Sequence, residues 1–295
     1  YADIMERALL NTVMSGVSHD GRSFFYANPM AVKPDAFKVF GNRKFRPTRQ
    51  ENFWCSCCPP NVARIFSSFG NFFQSASKSA IYLHLYGSWD CDFELEKGSV
   101  KLSQKSGYPY DGKISTTFSL TKPFSFDLLL RIPGWASNWS LKLNGKKLAK
   151  VELVKGYAQI SREWKNGDKI ELELAMEPLA LAAHPSVRHD CGRIALMRGP
   201  LVYCLEEADN GNDLSDIELD LSKPLKLKKG ELIDSCVPLI EASATRADLK
   251  QWAGVLYQSA LEAGKRKSLK VKAVPYMLWG NRGLGEMEVW IRAKI

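Results

Sequence analysis

The sequence predicts a multidomain α + β protein in which a short helical region leads into two antiparallel β-sandwich domains. Three observations carry this. The spacing of apolar residues changes from a helical to an alternating pattern near residue 78. From there on, short strand-like runs recur at close intervals between turn residues, as in sandwiches rather than in α/β folds. The chain has 295 residues, long for one domain.

The elements follow in order. Ile4, Leu9, Val13 and Met14 fall near helical spacing, with Asp3 as the expected cap and Gly16 as the stop. His19-Asp20-Gly21 is a turn signal, and Phe24-Phe25-Tyr26 is a short extended piece ending at Pro29. A polar stretch rich in Lys and Arg runs from Lys38 to Arg49. A second helix is expected from Pro60, because proline suits the first helical turn, and Val62, Ile65, Phe66, Phe69 and Phe73 mark its apolar stripe. Two helices with faces this wide cannot cover one another, so further helical partners upstream of Tyr1 are expected. After Lys78 the period is two: Ile81, Leu83 and Leu85 alternate with Tyr82, His84 and Tyr86. Asn144-Gly145 and Asn166-Gly167 read as hairpin signals. A second break falls at Pro178 to Pro185, followed by another β-rich region with a looser polar segment from Asn210 to Lys229. Leu249 to Gly264 reads as one short helix, and Met287 to Ile291 as a last strand. The predicted domains are 1–77, 78–179 and 180–283.

Composition excludes several classes. Hydrophobic residues make up 45% and aromatic residues 11%, which argues against disorder. No window approaches the apolar length needed to cross a bilayer. Tyr1 opens the chain, and residues 1–17 lack a signal-peptide layout, which points to a fragment. The net charge of +9 comes from scattered lysines between apolar residues or in turns, which reads as solvated strand faces. A polyanion surface is the alternative, but no nucleic-acid recognition motif accompanies the charge. The seven cysteines are odd in number and irregular in spacing, so they are not a disulfide framework. Cys91, Cys191, Cys204 and Cys236 read as small core residues.

The densest chemical signal is Trp54-Cys-Ser-Cys-Cys-Pro-Pro-Asn61. Cys58 precedes a proline and is pushed toward an extended form. Cys57 and Cys58 then sit just before a helix N-terminus, whose partial positive charge favours a thiolate, a nucleophile or soft metal ligand. Zinc takes four ligands, and these two cysteines could supply two. The alternative is a packing corner of buried cysteines. His19, His84, His184 and His189 have no ligand spacing. Asp3, Glu6, Asp20 and Glu51 lie near the helices and read as solvated surface groups, with no evident catalytic pair. Tyr26 ends its short strand and could point a hydroxyl into a cleft.

Cys57-Cys-Pro-Pro-Asn61, Phe24-Phe-Tyr-Ala-Asn-Pro29 and Tyr1-Ala-Asp-Ile-Met-Glu-Arg-Ala8 resemble glycoside hydrolase family 127. So do Leu130-Arg-Ile-Pro-Gly-Trp135, Arg198-Gly-Pro-Leu-Val-Tyr-Cys-Leu-Glu206, Val274-Pro-Tyr276 and Gly283-Leu-Gly-Glu-Met287. The founding activity of that family is a retaining β-L-arabinofuranosidase acting on plant arabinose-containing glycans. The resemblance implies the C-terminal helices of an (α/α)6 barrel in residues 1–77, followed by the two sandwiches, with the last strand, 284–295, returning to the first. It implies one zinc ion held by three cysteines and a glutamate. Cys57 and Cys58 match the last two cysteine ligands, Cys57 also matches the nucleophile, and Tyr26 matches a sugar-contacting tyrosine. The other two ligands and the acid/base glutamate match nothing here and are expected upstream of Tyr1, so the chain alone is expected to hydrolyse nothing and to bind zinc weakly.

The partner expected is an arabinose-containing glycan, with no nucleic acid, no membrane and a homodimer as a candidate assembly. A carbohydrate-binding module built from the two sandwiches, or a relative with another sugar specificity, are the rival readings. Compartment stays open between cytoplasm and periplasm, since a metal-bound thiolate persists in either.

Overall fold

The structure, a computed structural model, describes residues 1–35, 46–55, 57–233, 235–260 and 264–294. Strands dominate and helices are few. In chain order, α1 (Ala2–Arg7) passes into a π-helical turn at Ala8–Val13, a short strand β1 (Ala31–Val32) follows, and α2 (Cys58–Ser67) precedes the other strands. Contacts divide the chain into two compact units, residues 1–9 with 60–176, and residues 10–59 with 177–295. The expected polar stretch lies partly outside the described residues, from Lys38 to position 45.

The first unit holds two sheets. One joins β2 (Gln74–Ala76), β3 (Ala80–Leu83), β7 (Phe124–Arg131), β10 (Glu152–Val154) and β11 (Tyr157–Trp164) in the order β10-β11-β7-β3-β2. The other joins β4 (Trp89–Leu95), β5 (Gly98–Ser106), β6 (Lys113–Ser119), β8 (Trp139–Leu143), β9 (Lys146–Lys147) and β12 (Lys169–Leu174) in the order β4-β5-β6-β12-β8-β9. Alternation in sequence becomes alternation in burial: Ile170, Leu172 and Leu174 of β12 point inward while Glu171 and Glu173 do not. Inward residues of both sheets form one buried cluster, with Trp164 stacked on Phe118 at 4.2 Å and its indole N–H bonded to the Phe126 carbonyl.

The two Asn-Gly signals have different outcomes. Asn144 and Gly145 both take positive φ (49° and 77°) and close the β8–β9 hairpin. Asn166-Gly167 is not a hairpin. It hands the chain from β11 in one sheet to β12 in the other, with the Asn166 side chain accepting from the Leu120 amide. The β10–β11 hairpin uses Lys155-Gly156, also at positive φ.

The carboxylates of α1 depart from the sequence reading. Asp3 does not cap the helix, where Tyr1 is the N-cap with no side-chain bond. Its carboxylate instead accepts from Arg131 Nη1 at 2.5 Å and from the Gly134 amide at 3.1 Å. Glu6 is not solvated but 1% exposed, and accepts from Arg131, from the Tyr108 hydroxyl and from the Trp135 indole N–H. Burial pushes Arg131 down, but Glu6, with Tyr108, Tyr86 and Asp3, carries it above its ordinary value. Ile4 and Phe66 remain largely exposed on the two helices.

In the second unit one hydrogen-bonded sheet takes in ten strands: β1, β13 (Pro178–Ala182), β14 (Arg193–Arg198), β15 (Leu201–Glu206), β16 (Glu218–Asp220), β17 (Lys226–Leu232), β18 (Ser235–Ala247), β19 (Arg266–Pro275), β20 (Met287–Glu288) and β21 (Trp290–Lys294). The pairings β14–β15–β19–β18–β16–β21–β14 close on themselves. The last strand corrects an expectation. β21 pairs with β14 and β16, and β20 with β15 and β1, so the chain end adds to this sheet and not to the sheets of residues 78–179. Pairing is antiparallel except β3–β7 and β16–β21. Instead of a helix at Leu249–Gly264 there is a 3-10 turn, Leu249–Trp252; residues 261–263 lie outside the described ones. The lysines have a local reason. Among the described residues β17 pairs only with β18, and its exposed Lys226, Lys228 and Lys229 blunt an open edge. Lys267 and Lys272 pair with Asp248 and Asp209.

Removing one partner of a buried ion pair strands the other charge, whereas a half-exposed carboxylate contributes little. Glu6→Ala is therefore expected to lower unfolding stability by about 3–5 kcal/mol. Asp3→Ala, at a site 49% exposed, is expected to cost less than about 1 kcal/mol. Urea denaturation of the two variants checks the ranking.

Candidate active site

The site is built where two extended segments meet. The Phe24 amide donates to the Gln50 carbonyl and the Gln50 amide donates to the Phe24 carbonyl, both at 2.9 Å. On the same segment the Phe25 amide donates to the Gly16 carbonyl, and Gly16 ends the first helical run as its sequence position suggests. Phe25 is buried and stacked on Trp279 at 4.5 Å, 6° from parallel. Further along, Asn28 donates to the Thr12 carbonyl and accepts from Ser15, while the Tyr276 hydroxyl donates to the Pro29 carbonyl. Tyr26, between these anchors, meets Phe53 edge-on at 5.5 Å.

Gln50 leads directly to the cysteines. Helix α2 begins at Cys58, two residues before the expected start, so Pro59 and Pro60 both fall in its first turn, where amide N–H groups have no intrahelical partner. Cys57 is exposed, while Cys55 and Cys58 are half-buried. The Cys57 and Cys58 sulfurs are 3.8 Å apart. Tyr26 is hydrogen-bonded to Cys57; burial, then the charge of Cys57, Cys55 and Cys58, pushes its hydroxyl above the usual range. Tyr26 is thus kept protonated, a donor toward sulfur. Burial, then the hydrogen bond and charge of Cys57, pushes the Cys58 thiol up as well. Two adjacent thiols resist joint ionisation unless a cation sits between them. Four ligands at zinc–sulfur distances of about 2.3 Å put sulfurs about 3.8 Å apart, and the observed 3.8 Å fits that edge.

Arg49, beside Gln50, is 9% exposed. Its Nη2 donates to the carbonyls of Ser15 and Trp279, both at 2.8 Å. Its guanidinium carbon lies 4.4 Å from the Phe25 ring centre and 5.9 Å from that of Trp279. Burial pushes it down to about 10, against the pull of Glu206, Tyr276 and Asp20.

The structure therefore brings together the three residues singled out from sequence: Tyr26, Cys57 and Cys58. Among the described residues, no three His, Cys, Asp or Glu side chains gather closely enough to hold a metal. Glu51 is exposed, and Asp20 serves a turn, accepting from Ser18 and the Arg22 amide. Arg49, Gln50 and Trp279 were missed. Arg49 sits in a basic run that gives no sign of burial, and nothing in sequence ties position 279 to position 25. Of the cysteines taken as core, Cys204 is buried and Cys91 half-buried, but Cys191, which follows a three-residue 3-10 turn, and Cys236, at the start of β18, are exposed.

Comparison with known proteins covers nearly the whole chain. The β-L-arabinofuranosidase GH127 catalytic domain matches residues 1–71, the GH127 middle domain residues 80–176, and the glycoside hydrolase family 127 C-terminal domain residues 178–292. A non-reducing end β-L-arabinofuranosidase of Bifidobacterium longum subsp. longum is 30% identical over 99% of this chain and 45% of its own length. The crystal structure of a GH127 β-L-arabinofuranosidase from Geobacillus stearothermophilus T6 is 41% identical, with a TM-score of 0.94 over 100% of this chain and 46% of that one. A structure described as a glycoside hydrolase is 34% identical, with a TM-score of 0.90, 100% of this chain and 48% of that chain being covered. The chain thus spans about half the length of the relatives it matches.

Exposure sets the order of thiol reactivity. Cys204 is fully enclosed, and burial, then Glu206, holds its thiol well above the usual range. Alkylation of the native chain at pH 8 is expected to modify Cys57, Cys191 and Cys236 within minutes and to leave Cys204 unmodified until denaturant is added. Peptide mass spectrometry checks the sequence of labelling.

Proposed function

The chain belongs to glycoside hydrolase family 127, and on that premise we propose that Cys57 is the nucleophile of a retaining β-L-arabinofuranosidase site. In this reading Cys57 and Cys58 are two of the four ligands of a zinc ion, and Tyr26 contacts the sugar. The observation that carries it is the thiol cluster itself: Cys57 exposed, 3.8 Å from Cys58 and hydrogen-bonded to Tyr26. A packing corner would enclose all three sulfurs.

Zinc bound at this pair supplies positive charge that keeps the thiols ionised at neutral pH. The N-terminus of α2 favours the same charge state at Cys58, the first residue of the helix. The Cys57 sulfur attacks the anomeric carbon of a terminal β-L-arabinofuranosyl unit as the glycosidic carbon–oxygen bond breaks, and the leaving oxygen takes a proton from a carboxylic acid. The resulting carboxylate then takes a proton from water, whose oxygen displaces sulfur from the same carbon. Two displacements on one centre retain its configuration. Tyr26 donates to the sulfur at rest and reaches the sugar hydroxyls when the sulfur is engaged. The resemblance assigns the acid and the other two zinc ligands to positions these residues do not match, within the length that the relatives have beyond the 45–48% spanned here.

The finer architecture belongs to the same proposal. Residues 1–77 are read as helices of an (α/α)6 barrel, residues 78–179 as one β-sandwich, and the residues from 180 as a second. The final strand is read as part of the second, a reading that the pairing of β21 with β14 supports. The shared core of the two sheets around Trp164 supports the first sandwich.

The test grafts this chain in place of the matching part of the Geobacillus enzyme. The chimera is expected to hydrolyse 4-nitrophenyl β-L-arabinofuranoside, to lose activity on chelation, and to fall at least 1,000-fold on Cys57→Ala. The chain alone is expected to show no activity above that variant. A folded chimera whose hydrolysis survives Cys57→Ala would remove the nucleophile assignment.

A further inference from the structure

The buried guanidinium beside the thiol segment is not explained by the chemistry above. Arg49 Nε and Nη1 have no hydrogen-bond partner among the described residues, so a charge is buried with part of its donor capacity unmet. Such an arrangement costs stability that an apolar side chain of similar length would not. What an apolar residue could not do is tie three separate segments together. Arg49 Nη2 takes the Ser15 carbonyl at the end of the first helical run and the Trp279 carbonyl after β19. The face of the same group lies on Phe25. Arg49 and Phe25 are therefore cross-strand neighbours on the same side of the antiparallel bridge between Gln50 and Phe24, whose two hydrogen bonds join the Tyr26 segment to the cysteine segment. The surroundings are closed around this contact. Gly280 sits at φ +69°, and a side chain there would meet Phe25 at 3.2 Å and Arg49 Nη1 at 3.3 Å.

We propose that Arg49 is a positioning residue for the thiol site: its guanidinium, held by the Ser15 and Trp279 carbonyls and stacked on Phe25, sets the register of the Phe24–Gln50 bridge and so the contact of Tyr26 with Cys57. It acts through Tyr26 and touches neither sulfur nor sugar. This deepens the thiol-hydrolase reading and rests on it for its meaning in catalysis, but the contact it describes is present without zinc or substrate.

The experiment measures the rate of Cys57 alkylation by iodoacetamide at one fixed pH, in the full chain without metal, relative to exposed Cys191 in the same molecule. The variants are Arg49→Met, Arg49→Lys, Tyr26→Phe and Arg49→Met with Tyr26→Phe, each first shown to be folded by circular dichroism. Tyr26→Phe removes the hydrogen bond to sulfur and is expected to change the Cys57-to-Cys191 ratio several-fold. Arg49→Met is expected to change it in the same direction and by a similar factor, the double variant to change it no further, and Arg49→Lys to recover part of the wild-type ratio. A merely structural arginine would lower the melting temperature and leave the ratio as in wild type; that result, or factors that multiply in the double variant, overturns the proposal. Should Arg49→Met not fold, Arg49→Lys decides alone: a wild-type ratio overturns the proposal and a shifted one supports it. Because no zinc or sugar enters the measurement, its outcome is separate from that of the chimera, which can fail or succeed on its own.

Discussion

Everything at the candidate site depends on one pair of backbone hydrogen bonds, those exchanged by Phe24 and Gln50. The bridge fixes the register of the two segments, and backbone register decides which face of a strand a side chain leaves from. Tyr26 lies two residues beyond the bridge on one segment, and Cys57 lies seven beyond it on the other. Between them they turn two loops into a site with a hydroxyl donor and two sulfurs. The proline pair in the first turn of α2 completes the arrangement, by ending the second segment at the mouth of a helix.

The two units solve the same problem of fixing irregular chain by different means. Around the thiols it is fixed by backbone pairing, aromatic stacking and one buried cation. Around α1 it is fixed by a carboxylate. Glu6 takes three donors, from Arg131, Tyr108 and Trp135, and so joins a helix to a strand, to a turn and to the loop after β7. Two segments that looked unrelated in sequence, Tyr1–Ala8 and Leu130–Trp135, meet in this network, with Tyr108 as its third contributor. A fully satisfied buried ion pair gives less stability than packed hydrocarbon would, but it accepts one geometry only. That specificity suits a helix whose neighbour along the chain is a π-helical turn.

How much of this was legible in the sequence depended on whether the signal was local. The period change at residue 78, the buried alternation of Ile170, Leu172 and Leu174, and the Asn144-Gly145 hairpin are set by residues within a few positions of one another, and all were readable. So was the helix start after Cys57, to within two residues. Asn166-Gly167 carries the same dipeptide as a hairpin but joins two sheets, because β12, the strand after it, pairs with β6 and β8 and not with β11. Lys155-Gly156 makes a hairpin with no Asn or Asp to announce it. Glu6 and Arg49 were opaque for a shared reason: a charge is read as solvated until its partner is known, and their partners lie 125 and 230 residues away. The last strand failed for the related reason that strand pairing is a long-range choice. Tyr26, Cys57 and Cys58 could be singled out from local sequence, and the roles expected of them came from the resemblance to one family; their contact with each other could not be read.

Cobalt(II) substitution tests most directly whether the Cys57 and Cys58 sulfurs form one face of a metal site beside Tyr26, since thiolate bound to cobalt gives a charge-transfer band in the near ultraviolet. Titrating the chain with cobalt(II) is expected to raise that band, with Cys57→Ser and Cys58→Ser each removing it. A titration without the band, or a band of unchanged strength in both variants, would contradict a metal site at this pair.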